Sequence, residues 1–92
     1  MIAKHVFYEG RVQGVGFRYT VRQIAKEYEV TGWVRNLLDG RVELLVSGNA
    51  DEVDGFLETI VESELAGFIK GTQEEPAQPD SLADLRGFEI RP

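Results

Sequence analysis

Two hydrophobic periods alternate along the chain, and their order predicts its elements. Residues 2–9 are rich in β-formers (Ile2, Val6, Phe7, Tyr8) without clean alternation, as in a short strand inside a sheet, and Gly10 ends the run. From Arg18 the apolar positions become Val21, Ile24, Ala25 and Tyr28, spaced i, i+3, i+4 and i+7, with Arg22, Gln23, Lys26 and Glu27 facing away. That spacing predicts an amphipathic helix, stopped by Thr31-Gly32. Residues 33–38 and 41–47 then read as two strands joined by Asp39-Gly40, a two-residue type I′ hairpin signal, with Val42, Leu44 and Val46 alternating against Arg41, Glu43 and Ser47. Asn49 is a natural N-cap, with Asp51 and Glu52 in the first turn and Glu52 at capping-box distance. Val53, Phe56, Leu57, Ile60 and Val61 carry a second helical stripe to about Leu65, although Gly55 costs about 1 kcal/mol against alanine. Residues 67–73 read as a short strand. Residues 74–86, with Pro76 and Pro79, read as mostly loop, and residues 87–91 as a final strand that buries Phe88 and Ile90.

The order β-α-β-β-α-β-β is that of an α+β fold: a ferredoxin-like α/β sandwich, an antiparallel sheet with two helices on one face, built on the split βαβ arrangement. Ninety-two residues hold one such domain, spanning residues 1–92, and 42% hydrophobic with 28% charged residues is ordinary globular usage. Fold class alone does not give function.

Composition narrows the chemistry by exclusion. There is no cysteine, which removes disulfides, thiolate metal sites, iron-sulfur clusters and a cysteine nucleophile. The single histidine, His5, lies in the first strand without a partner cluster, so neither a metal site nor a Ser-His arrangement is expected. Asp51, Asp54, Glu58 and Glu62 share a helical face opposite the apolar stripe and read as a solvated surface. A net charge of -6 argues against nucleic acid and anionic membranes as partners. The charge is uneven, however: residues 1–36 hold six basic and three acidic side chains, and residues 37–92 hold four and thirteen. No apolar run is long enough to cross a membrane, and the N-terminus lacks the pattern of a signal peptide, so a cytoplasmic protein is expected.

The informative stretch runs from Gly10 to Arg18, between the first strand and the first helix. Gly10, Gly14 and Gly16 let the backbone curl and bring its N–H groups close to a ligand, and the helix start adds free donors and positive potential. Such a loop suits an anion, and Arg18 adds a planar fork of donors that matches two phosphate oxygens. A plain glycine-rich turn with a solvent-facing arginine uses the same residues. Neither G-x-x-x-x-G-K-[ST] nor G-x-G-x-x-G is present, so a nucleotide cradle is unsupported. Asn36, on the strand leading to Asp39-Gly40, is no general base, but its amide both accepts and donates and so suits holding one water; an exposed polar strand residue is the plainer alternative. Gly14-Val15-Gly16-Phe17 faintly echoes an RNA-binding RNP1 motif, but it lies in a loop after the first strand, where that motif does not belong.

Taken together, the run V-Q-G-V-G-F-R over residues 12–18, the run G-W-V-R-N-x-x-x-G-x-V from Gly32, and Gly48 after it closely resemble the two signature motifs of the acylphosphatases. The closing G-F-E-I-R of residues 87–91 extends the resemblance over essentially the whole chain. It implies a small, common-type acylphosphatase that hydrolyses the carboxyl-phosphate bond of acyl phosphates without metal or cofactor. Val12, Gln13, Gly14, Val15, Gly16, Phe17 and Arg18 would form the phosphate cradle, with Arg18 as the phosphate-binding catalytic arginine and Asn36 as the residue that positions the attacking water. Inorganic phosphate would be both product and competitive inhibitor, and the protein would be a monomer. The leaving carboxylate, with a pKa near 4 to 5, needs no protonation, so a near absence of histidine is no obstacle. A non-catalytic anion-binding or regulatory module on the same fold would account for the glycines but not for Asn36.

Overall fold

The computed structural model describes residues 1–78 and 87–92. Its elements are β1 (Ile2–Gly10), α1 (Phe17–Ala25), β2 (Val30–Asn36), β3 (Val42–Gly48), α2 (Ala50–Glu62), a 3₁₀ helix (Glu64–Phe68), β4 (Ile69–Ala77) and β5 (Phe88–Arg91). The strands form one sheet in the order β4-β1-β3-β2-β5. Each helix links two parallel strands that flank a third: β1 and β2 lie on either side of β3, and β3 and β4 on either side of β1. This interleaving is the α+β ferredoxin-like arrangement expected from the pattern. Four strands pair antiparallel, whereas β5 lies parallel to β2, with Val34 opposite Ile90, so the sheet is mixed. The alternation of Phe88 and Ile90 identifies a buried face and carries no information on strand direction.

Apolar stripes of both helices meet one face of the sheet. Val21 and Ile24 of α1 and Val53, Phe56 and Ile60 of α2 share a core with Val6, Tyr8, Val34, Leu44 and Val46. On the open face, Ala3 and Trp33 form a smaller cluster with Leu45 and Ala77. Glu43 lies buried there, bonded to His5 Nε2 at 2.6 Å and to Arg35 Nε.

Several boundaries differ from the sequence expectation, each for a tertiary or local reason. α1 ends at Ala25, and three tightened i→i−3 bonds carry the chain from Lys26 to Tyr28 into β2, which starts at Val30. Gly32 is therefore a strand residue rather than a helix stop: a Cβ there would lie 1.9 Å from the Leu45 carbonyl oxygen of β3. The β2-β3 turn is not the two-residue type I′ form, because Asp39 has no positive φ. Leu37 N–H donates to the Arg41 carbonyl at 2.8 Å, closing a three-residue loop with Gly40 at φ 96, and the Asp39 carboxylate accepts the Arg41 N–H. Asn49 stands at the start of α2 without a side-chain cap bond, and Glu52 accepts from the Glu29 N–H instead of closing a capping box. α2 stops at Glu62 because the Ser63 hydroxyl bonds the Ile60 carbonyl and accepts from Leu65 N–H, starting the 3₁₀ turn. β4 then runs through Pro76, part of the stretch expected to be loop; β4 is an edge strand paired only with β1, where a missing N–H is tolerated. The rest of that expected loop, residues 79–86, lies outside the described residues.

Candidate active site

The glycine-rich loop crosses from the end of β1 to the start of α1, pinned at both ends by apolar side chains. Val12 is fully buried and Phe17 is 2% exposed, its ring 5.1 Å from that of Tyr8. Between these anchors Gly14 and Gly16 adopt φ 78 and φ 76, left-handed conformations that side-chain-bearing residues avoid. A Cβ at either position would meet nothing within 4 Å, so their concave side is open. Gly16 is also the N-cap of α1, with no side chain over the helix end and no acidic residue in the first turn. The unsatisfied N–H groups of that turn therefore sit beside the curled loop without a competing anion.

A cleft of about 190 Å³ opens here. Val12, Gly14, Gly16, Phe17 and Arg18 line one part of it; Asn36, Tyr19 and Ile90 complete it. Arg18 makes no ion pair or hydrogen bond among the described residues. Asn36, at the end of β2 and paired with Val42, is half-buried, and its Oδ1 is buried without a hydrogen-bond partner among the described residues. A buried amide oxygen in that state costs about 1–3 kcal/mol, while the Asn36 side chain as a whole lines the cleft, with an amide that can both accept and donate. Among the described residues the lining contains no carboxylate and no imidazole. Arg18 and Asn36 give it the means to bind an anion and to orient a water.

Of the residues expected from sequence, Arg18 and Asn36 come together in this cleft although they belong to different elements. Gln13 and Val15 have side chains committed elsewhere. Val15 packs against the core, and Gln13 Nε2 donates to the carbonyls of Leu37 at 2.8 Å and Arg41 at 2.9 Å. Sequence reasoning did not find Tyr19 or Ile90 as cleft residues. Tyr19 carried a usable signal, being an aromatic off the Val21-Ile24 stripe and next to Arg18. Ile90 carried none, since only the β2-β5 pairing brings it near.

Known proteins resemble the chain over nearly its whole length. A family model for acylphosphatase matches residues 4–90. An acylphosphatase of Nostoc sp. is 42% identical over 91 residues, covering 99% of this chain and 87% of its own length. One from Geobacillus kaustophilus is 43% identical over 86 residues, covering 94% and 89%. The crystal structure of acylphosphatase from Bacillus subtilis matches with a TM-score of 0.87 at 33% identity, over 100% of both chains.

Proposed function

The chain belongs to the acylphosphatase family and hydrolyses acyl phosphates, and from that premise we propose how its own residues carry the reaction. The phosphoryl group sits in the loop from Val12 to Arg18, its oxygens facing the backbone N–H groups and the Arg18 guanidinium. The Asn36 side-chain amide hydrogen-bonds one water and holds it in line with the phosphorus. The water oxygen bonds to phosphorus, the bond from phosphorus to the acyl oxygen breaks, and the electron pair leaves on the carboxylate. The water's proton passes to a phosphate oxygen. Because the departing carboxylate is a weak base, the step asks for positioning and for stabilisation of charge on the phosphoryl oxygens.

The single observation that carries this reading is that Arg18, unpaired among the described residues, and Asn36 line the same cleft although they come from different elements. A non-catalytic anion module offers no reason to hold an amide there. The reading extends to a metal-independent, cytoplasmic, monomeric enzyme that binds neither nucleic acid nor membrane and is inhibited competitively by inorganic phosphate. Among the described residues no helix is long and apolar enough to cross a membrane. The test is hydrolysis of benzoyl phosphate by the purified protein with EDTA present. Turnover above the spontaneous rate, with phosphate raising KM and leaving kcat unchanged, is expected; no turnover with or without added divalent metal would overturn the proposal.

A further inference from the structure

The chain has three tyrosines, and two are accounted for by packing. Tyr8 packs at a tilt against Phe17 in the core, and Tyr28 lies edge-on to Phe56 with its hydroxyl bonded to Thr59. Tyr19 differs from both. It is 61% exposed, and among the described residues its ring touches no other ring and its hydroxyl makes no hydrogen bond. An unpartnered aromatic on a helix surface is by itself unremarkable, but this one lines the cleft one residue after Arg18.

The cleft divides by chemistry. Gly14, Gly16, Arg18 and Asn36 present polar groups suited to the phosphoryl group and its water, while Tyr19 and the half-buried Ile90 offer apolar surface. With the phosphoryl group seated in the loop, the acyl substituent begins one bridging oxygen away from phosphorus and has to emerge through the open side. Val12 and Phe17 are too deeply buried to meet it, which leaves Tyr19 as the exposed apolar side chain of the lining.

Resting on the proposed function, we infer that Tyr19 is the acyl-side specificity residue, and that this site favours acyl phosphates with a flat, aromatic acyl group over small aliphatic ones. The ring gives such a group an offset-stacked or edge-on partner at a position that costs the protein no rearrangement. Because the acyl group stays against Tyr19 before and during phosphoryl transfer, the contact stabilises ground state and transition state alike. Its loss therefore appears in KM rather than kcat.

The experiment compares benzoyl phosphate with acetyl phosphate in the unchanged chain, Tyr19→Phe and Tyr19→Ala. In Tyr19→Ala, KM for benzoyl phosphate is expected to rise about fivefold, lowering the benzoyl-to-acetyl ratio of kcat/KM by a similar factor, and Tyr19→Phe is expected to keep the ratio within about twofold. Alanine on this exposed helical surface favours the helix, so the variant folds. An unaltered ratio in Tyr19→Ala overturns the role of Tyr19 and leaves the hydrolase reading standing. Failure of the unchanged chain to hydrolyse either substrate overturns both.

Discussion

Gln13 and Leu37 are joined across 24 positions of sequence by a hydrogen bond from Gln13 Nε2 to the Leu37 carbonyl, and the same nitrogen reaches the Arg41 carbonyl on the other side of the hairpin. The anion loop is thereby tied to the strand end that carries Asn36, the residue before Leu37. One amide thus bridges the glycine loop and the hairpin, the two segments that carry the proposed phosphate-binding group and the proposed water-holding group.

Gln13→Ala is therefore expected to slow turnover more than it weakens phosphate binding. With both carbonyls released, Asn36 loses its fixed relation to the loop, and kcat should fall about tenfold while the inhibition constant of phosphate stays within about threefold. Steady-state kinetics well below the unfolding temperature checks the split; equal changes in both constants would assign Gln13 to phosphate binding instead.

Arg18→Ala and Asn36→Ala separate the two halves of the mechanism. The first should lose phosphate inhibition together with turnover. The second should lose turnover by about a hundredfold or more while phosphate inhibits as before. Equal phosphate affinity in Arg18→Ala and the unchanged chain would remove Arg18 from the site.

Asn36→Ala carries a second expectation, in stability. Removing a buried oxygen that lacks a partner relieves a desolvation cost, so the variant should unfold at the same or a higher denaturant concentration, by about 1 kcal/mol. A loss of stability greater than about 1 kcal/mol would mean that the Asn36 side chain is hydrogen-bonded within the resting protein.

The glycines should respond to alanine in two ways. Gly14→Ala and Gly16→Ala meet open space and incur only the left-handed backbone cost, about 1–2 kcal/mol each. Gly32→Ala drives a methyl into the β3 backbone and should cost about 3 kcal/mol, the upper end for overpacking. Urea unfolding of the three variants tests the contrast.

Glu43 should contribute a distinct acid-labile part of stability. Burial alone would push its carboxyl up, but the hydrogen bonds and charges of Arg35 and His5 outweigh this and hold it below the ordinary glutamate range. A carboxyl lowered in the folded state stabilises fully above its unfolded pKa of about 4.3, and that contribution is lost as pH falls through the folded value. Glu43→Gln should thus be less stable than the unchanged chain at pH 7, with the difference shrinking below about pH 4.

Much of this fold and site was legible from residue spacing, for reasons that are local. The stripe from Val21 to Ala25, the alternation of Val42, Leu44 and Val46, and the clustering of Gly14, Gly16 and Arg18 between strand and helix are all set within a few residues. What escaped depended on contacts between distant segments. Gly32 looked like a helix stop until β3 lay against it, Glu52 looked like a cap until it found Glu29, and Ser63 stopped a helix whose stripe ran on to Leu65. Gln13 shows the same limit at the site: its place in the motif was plain, but its partners lie on another hairpin.

The position of Ile90 has a consequence for how the protein comes to be active. The cleft gathers residues from position 12 to position 90, and its last wall is set only when β5 pairs with β2. Such closure across most of the chain is the slow kind, because the loop entropy is lost before the contact is gained. The segment from β1 to β3 contains the glycine loop and Asn36 but not the Ile90 side of the cleft. Formation of the complete cleft therefore waits on the last strand, and recovery of turnover after dilution from denaturant is expected to follow the docking of β5 rather than the return of helix.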